Sequence, residues 1–200
     1  VFYGETVDLS DNSGKEVDVI MTFTIGVTGH RYLAYYQGLR RDKIIHGMKR
    51  IVFHLLKDKI REGGVSVNTI TGMARGADLL FGKSMIDARR YYRGLGIPFT
   101  ITAAIPYQEQ YKECNGFPTE AHLYSELSHR CDVKKILSNY YYTGCYKKRN
   151  RYIVDNSDIL IAVWDGKPSG TGQTVRMAKE KGIPVIILDP KTFEDRVLQY

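Results

Sequence analysis

Three arginines stand within reach of small residues: Arg31 in Thr28-Gly29-His30-Arg31, Arg75 in Gly72-Met73-Ala74-Arg75-Gly76-Ala77-Asp78, and Arg149-Asn150 ahead of Asp165-Gly166-Lys167-Pro168-Ser169-Gly170-Thr171. Glycines let backbone N–H groups come close to an anion, and a guanidinium adds donors in a fixed fork. Together these are the ingredients of phosphate capture. Asp78 and Asp165 are the carboxylates available as acid or base. For Asp78 a helix-capping role competes with ligand contact, since a carboxylate in a first helical turn gains about 0.3–1 kcal/mol. Nothing in the sequence establishes either carboxylate as acid or base, and the catalytic residues are left unknown. His122, His129 and Cys131 are close in sequence but form no ligand pair of zinc-site spacing, and no metal is expected.

Each cluster needs an element to present it. Apolar runs over 22–27, 65–71, 99–104, 159–163 and 185–188 predict strands, and 159–163 is apolar throughout, as a strand covered on both faces requires. Ile44, Ile45, Met48, Ile51, Val52, Leu55, Leu56 and Ile60 recur at three and four residues, predicting a helix over 40–62 that Gly63-Gly64 end in the left-handed conformation. Leu79, Leu80, Met85 and Ile86 have helical spacing too. A helix over 173–181 would turn its positive dipole end toward Gly170-Thr171. Gly96-Ile97-Pro98 and Gly182-Ile183-Pro184 read as helix stops ahead of strands. Beyond Pro106-Tyr107 come a polar, aromatic excursion to Pro118, a helix over 120–129, a short strand over 134–138, and a helix carrying Arg149 outward.

Alternating strands and helices predict an α/β fold: a three-layer, Rossmann-like, doubly wound, mostly parallel sheet with helices on both faces. All strand carboxyl ends then share one edge. The expected ligand-binding residues are accordingly Thr28, Gly29, His30, Arg31, Gly72, Ala74, Arg75, Gly76 and Asp78 from the early loops, with Pro106, Tyr107, Arg149, Asn150, Asp165, Gly166, Ser169, Gly170 and Thr171 from the later ones.

With 200 residues, 43% of them hydrophobic, the chain suits one domain over 21–200. Such a domain buries about 70% of its unfolded surface. Residues 1–20 form a polar lead, turning at Asp11-Asn12-Ser13-Gly14-Lys15, that reads as a hairpin or an arm. No apolar run approaches the roughly 20 residues that cross a bilayer, and no signal pattern opens the chain, so no membrane is expected. A start at Val1 reads as a trimmed chain. An odd set of cysteines, Cys114, Cys131 and Cys145, suits a reducing cytoplasm. The net charge of +7 favours anionic partners, with the densest basic cluster at 147–151. Fifteen tyrosines, Tyr140, Tyr141, Tyr142 and Tyr146 among them, can stack on a base or fill interfaces.

The early clusters, with 144–150 and 158–166, resemble in combination and order the SLOG superfamily, the Rossmann-like group that includes LOG phosphoribohydrolases and the DNA-processing protein DprA. The similarity covers 22–188 and looks closest to the YpsA-like branch. It implies a phosphate-bearing ligand, a nucleotide or an ADP-ribose-like molecule, and a homo-oligomer. LOG enzymes carry an arginine before the late strand, matched by Arg149, and a Gly-Thr-x-x-Glu loop after it, in which Gly170-Thr171 match but Thr174 replaces the glutamate. The carboxylate for N-glycosidic cleavage is missing there. The leading expectation is binding, to sense or sequester a nucleotide-derived molecule. The alternatives are a LOG-like nucleotide N-glycosidase or hydrolase, and DprA-like binding of single-stranded nucleic acid.

Overall fold

A computed structural model describes residues 21–31 and 37–199, so the expected N-terminal hairpin or arm lies outside the described residues. The order is β1 (Met21–Gly29), α1 (Gly38–Glu62), β2 (Val65–Thr71), α2 (Ala77–Gly94), β3 (Phe99–Ile105), a 3-10 helix (Gln110–Cys114), α3 (Pro118–Arg130), β4 (Val133–Ile136), α4 (Cys145–Asp155), β5 (Ile159–Val163), α5 (Gly170–Lys181), β6 (Val185–Leu188) and β7 (Asp195–Leu198). The strands form one sheet in the order β4-β3-β2-β1-β5-β6-β7. β1 to β6 run parallel, and β7 alone is antiparallel, along β6. This is the expected mostly parallel, Rossmann-like α/β architecture.

Alternation along the strands sorts the core into two layers, because successive side chains leave opposite faces. Ile25, Val27, Ile101, Ile161 and Val163 pack with Ile44, Met48, Leu79, Phe81 and Leu127 of α1, α2 and α3. Ile70, Ala104, Leu160 and Ala162 pack with Ile153, Val154, Val175 and Ala178 of α4 and α5. The glycine pair after α1 has positive φ at both positions, but Gly63 combines φ 78° with ψ 174°, outside the left-handed helical region expected for the cap. β7 escaped the sequence reading, since its exposed Asp195-Arg196-Val197 has no apolar run; backbone pairing with β6 and an ion pair between Arg50 and Asp195 hold it. At the other edge β4 is exposed along its whole length.

The chain builds outward from β1 through β2 and β3 to β4, then returns to lay β5 on β1's other flank. Helices on either side of that reversal leave in opposite directions, which opens a crevice above the strand ends. The register Ile25↔Ile159 through Gly29↔Val163 keeps those two ends level. Close approach of α4 to β1 depends on Gly26, where a Cβ would run into Ser157 Oγ and stand 2.8 Å from Ile153 Cγ2. Gly26→Ala should therefore lower stability by about 1–3 kcal/mol, read as an earlier midpoint in urea. An unchanged midpoint would mean that α4 can back away freely.

Candidate functional site

Two backbone devices meet at the reversal. The His30 N–H donates to Val163 O at 3.1 Å and its carbonyl accepts from Ala77 N at 3.3 Å, clamping the end of β1 between β5 and the start of α2. Gly29 permits this, for a Cβ there would collide with Ala77 and stand 3.0 Å from Val163 Cβ. Opposite it, Ser169 caps α5 by accepting from Gly172 N at 3.2 Å. Gly170 and Thr171 occupy the first turn of α5, where N–H groups lack intrahelical partners and the dipole is positive. Thr28, Gly29, His30 and Arg31 on one side, and Gly170 and Thr171 on the other, line a cleft of about 340 Å³; Asp78, Tyr146, Arg149 and Asn150 complete it.

Arg149 does not point outward as expected. It is 4% exposed and forms an ion pair with Asp78 at 2.9 Å, Asp78 itself being 4% exposed. Its Nη1 also donates to Gly72 O, and its Nε to Asn150 Oδ1 at 2.8 Å. The reason lies in Gly72: a Cβ would fall on the guanidinium and stand 2.6 Å from Asp78 Oδ2, so the missing side chain is the arginine's room. Asp78 thus does more than sit in the first turn of α2, since its Oδ2 also accepts from Ala74 N at 3.3 Å while Thr71 Oγ1 donates to its carbonyl at 2.7 Å. The loop between them carries Met73 at φ 58°, a conformation few side chains adopt. Burial pushes the Asp78 carboxyl up, with Arg149, Arg31 and the Ala74 amide pulling against it. Removing one member of such a buried pair costs about 3–5 kcal/mol, because the other is stranded.

Asp165 acts from behind the cleft. Its Oδ1 lies 2.8 Å from His30 Nε2 and accepts from Lys167 N at 3.2 Å, and its Oδ2 pairs with Lys191 at 3.3 Å. Burial works against ionisation, but the His30, Lys167 and Lys191 contacts win and hold the carboxyl down at about 2.

A third group forms above the cleft. Arg31 Nη1 reaches Glu113 Oε2 at 3.2 Å, with its guanidinium 4.4 Å from the Tyr146 ring centroid. Tyr107 donates to Glu113 Oε1 at 2.6 Å, and Tyr146 donates to the same oxygen. Arg75 stands apart from the cleft, its guanidinium 3.4 Å from the Phe117 ring centroid and its Nη1 donating to Glu113 O at 3.4 Å. Gly72, Ala74, Gly76, Pro106, Tyr107, Asp165, Gly166 and Ser169 are likewise not among the lining residues. Glu113 was missed because its polar stretch has no period to single it out; Tyr146, named from sequence among the tyrosines able to stack on a base, joins the cleft from its place one helical turn before Arg149 and Asn150.

Thr174, at the position of the LOG glutamate, is fully buried, and its hydroxyl donates to Gly170 O at 2.9 Å. Among the described residues no group of three or more His, Cys, Asp or Glu is placed to hold a metal. None of the described helices is long and apolar enough to cross a membrane. Beside the cleft, Lys147, Arg151, Arg176 and Glu180 line a groove of about 420 Å³ between α4 and α5.

No protein-family model matches the chain, and no curated protein does. Among solved structures, DprA from Helicobacter pylori, studied for its single-stranded DNA binding mode, is 14% identical at TM-score 0.53, over 88% of this chain and 69% of that one. DprA from Streptococcus pneumoniae is 15% identical at 0.49, over 86% of this chain, which spans only 52% of that protein. The structural-genomics target TM1055 is 17% identical at 0.47, over 83% and 74%. The likeness is one of fold, the Rossmann-like, mostly parallel α/β sheet.

The Asp165 contacts predict a pH signature. Because its carboxyl is depressed in the folded chain from an ordinary 3.8, the stabilisation is present above that value and fades as pH falls toward about 2. Asp165→Asn should lose about 1–2 kcal/mol at neutral pH, allowing for solvent screening at the loop, with the gap to wild type closing as pH drops from about 4 to about 2. Urea titrations at each pH check it.

Proposed function

We propose that the crest cleft binds a nucleotide-derived small molecule, with its phosphate on the Gly170-Thr171 start of α5 and the Thr28-Gly29 turn, and with Arg31 above. The observation that carries this reading is the meeting of Gly29, Arg31 and Gly170 on one cleft at the sheet's reversal point, over a floor made by Arg149 and Asp78. A helix N-terminus and a guanidinium converging on one volume suit an anion better than the groove of about 400 Å³ near α3, where Ile105, Tyr111, Tyr124 and Ile136 are prominent. Nucleotides and ADP-ribose-like molecules fit this chemistry. Arg75, Asp165 and the remaining loop residues named from sequence serve the cleft by shaping it.

Binding is proposed in place of cleavage, because Thr174 supplies no carboxylate and turns into its own helix. In the same reading the chain is a YpsA-like member of the SLOG group, acting in the cytoplasm as a homo-oligomer, with 21–200 as the binding domain. Calorimetry against ADP-ribose, NAD, cyclic nucleotides and nucleoside monophosphates tests it. At least one should bind, and Arg31→Ala should weaken that ligand about tenfold or more, the scale of one charge-assisted hydrogen bond. Silence across the panel overturns the reading, and release of free base would favour the hydrolase.

A second reading, single-stranded nucleic acid, is favoured by the α4/α5 groove. Lys147 and Arg151 share a face of α4 with Asn150 of the cleft, and Arg176 answers them from α5. A strand leaving the cleft would follow these cations. It predicts oligonucleotide affinity that falls steeply with salt and a shallower salt slope in Arg176→Ala, read by fluorescence anisotropy; salt-independent or absent binding removes this reading.

A further inference from the structure

Two ion pairs of opposite character bound the cleft, one in its floor and one above it. Arg149 and Asp78 have side chains 5% and 6% exposed and are locked in the floor. Arg31 and Glu113 are 43% and 22% exposed, so this outer pair can part without opening the core. Glu113 comes from the 3-10 helix Gln110–Cys114, far in sequence from Arg31, and its carboxylate occupies the guanidinium where an incoming anion would. Within these two pairs each guanidinium already faces a carboxylate, so a ligand that takes Arg31 must displace Glu113.

We propose that Glu113 is the specificity-determining residue of the cleft: it holds Arg31 until a phosphate dianion displaces it, so that nucleoside phosphates are accepted and carboxylate analogues refused. This rests on the cleft reading above and adds the basis of selection. A carboxylate ligand offers Arg31 the partner it already has, while paying the freedom lost on binding. A phosphate can take Arg31 and the N-terminal amides of α5 together, which Glu113 cannot do from its own helix. Once displaced, Glu113 is not stranded, because the Tyr107 and Tyr146 hydroxyls still donate to its Oε1.

The test is calorimetry with AMP and with malonate on wild type, Glu113→Gln, Arg31→Ala and the double variant. Glutamine keeps the shape and an acceptor for the phenols while removing the charge. Glu113→Gln should bind AMP about tenfold tighter than wild type and acquire malonate binding, and both gains should vanish when Arg31 is alanine. Glu113→Asp, one methylene shorter, should shift affinity in the same direction and serves if the glutamine variant does not fold. If wild type binds AMP and neither Glu113 variant binds it tighter, or if the gain survives without Arg31, the selection role is overturned and the cleft reading stands. If none of the four proteins binds AMP, the cleft reading fails for nucleoside monophosphates and this inference fails with it.

Discussion

The site depends on one buried contact, the guanidinium of Arg149 against the carboxylate of Asp78, seated in the space that Gly72 leaves empty. It ties α4 to a junction far from it in sequence: α4 supplies the cation, the start of α2 the anion, and the turn after β2 the carbonyl and the gap. A charge pair this far from water is weak evidence for stability, since desolvation offsets most of the attraction. Its effect is to fix position. With Nη1 on Asp78 and Gly72 and Nε on Asn150, the guanidinium has one orientation, and the cleft floor is set before anything enters. Desolvation lowers the pKa of Arg149, with Asp78 opposing, yet arginine stays charged at any physiological pH.

Around that floor the parallel sheet does the geometric work. Level ends of β1 and β5 bring the Thr28-Gly29 turn against the start of α5, and Asp165, from the loop beyond β5, reaches back to His30. Trp164 closes the loop by donating from Nε1 to Lys167 O at 2.7 Å, and its ring lies 3.0 Å from where a Cβ on Gly172 would stand. The walls are therefore tied to one another as well as to the sheet. The upper rim is looser, made of Arg31, Tyr146 and Glu113, and this difference separates what shapes the cleft from what can respond to a ligand.

Much of the fold was legible because it rests on local periodicity. The runs at 65–71, 159–163 and 185–188 became strands with those very limits, and the 3.6-residue spacing of Ile44, Met48 and Ile51 marked α1. The convergence of Thr28-Gly29 with Gly170-Thr171 followed from topology alone. What could not be read was side-chain direction in the third dimension. Arg149 lies on a helix so rich in charge that an outward course looked natural, and only its packing against a glycine from another element turns it in. Arg75 sits in a loop of the expected kind, yet Phe117, 42 positions away (117 − 75), draws its guanidinium aside. Glu113 and β7 owe their placement to partners across the fold, to Arg31 and Tyr107 in one case and to β6 and Arg50 in the other.

The open margin of the sheet at β4 bears on how copies of this chain can meet. Its sequence is Val133-Lys134-Lys135-Ile136, exposed throughout, with no strand beyond it among the described residues, and a margin of this kind is a template for adding another strand. Two copies joining there about a twofold axis would bring ammonium groups toward one another, a repulsion that hydrogen bonds along so short a segment would have to overcome. The lysines thus act as a guard against fibre-like growth along this margin.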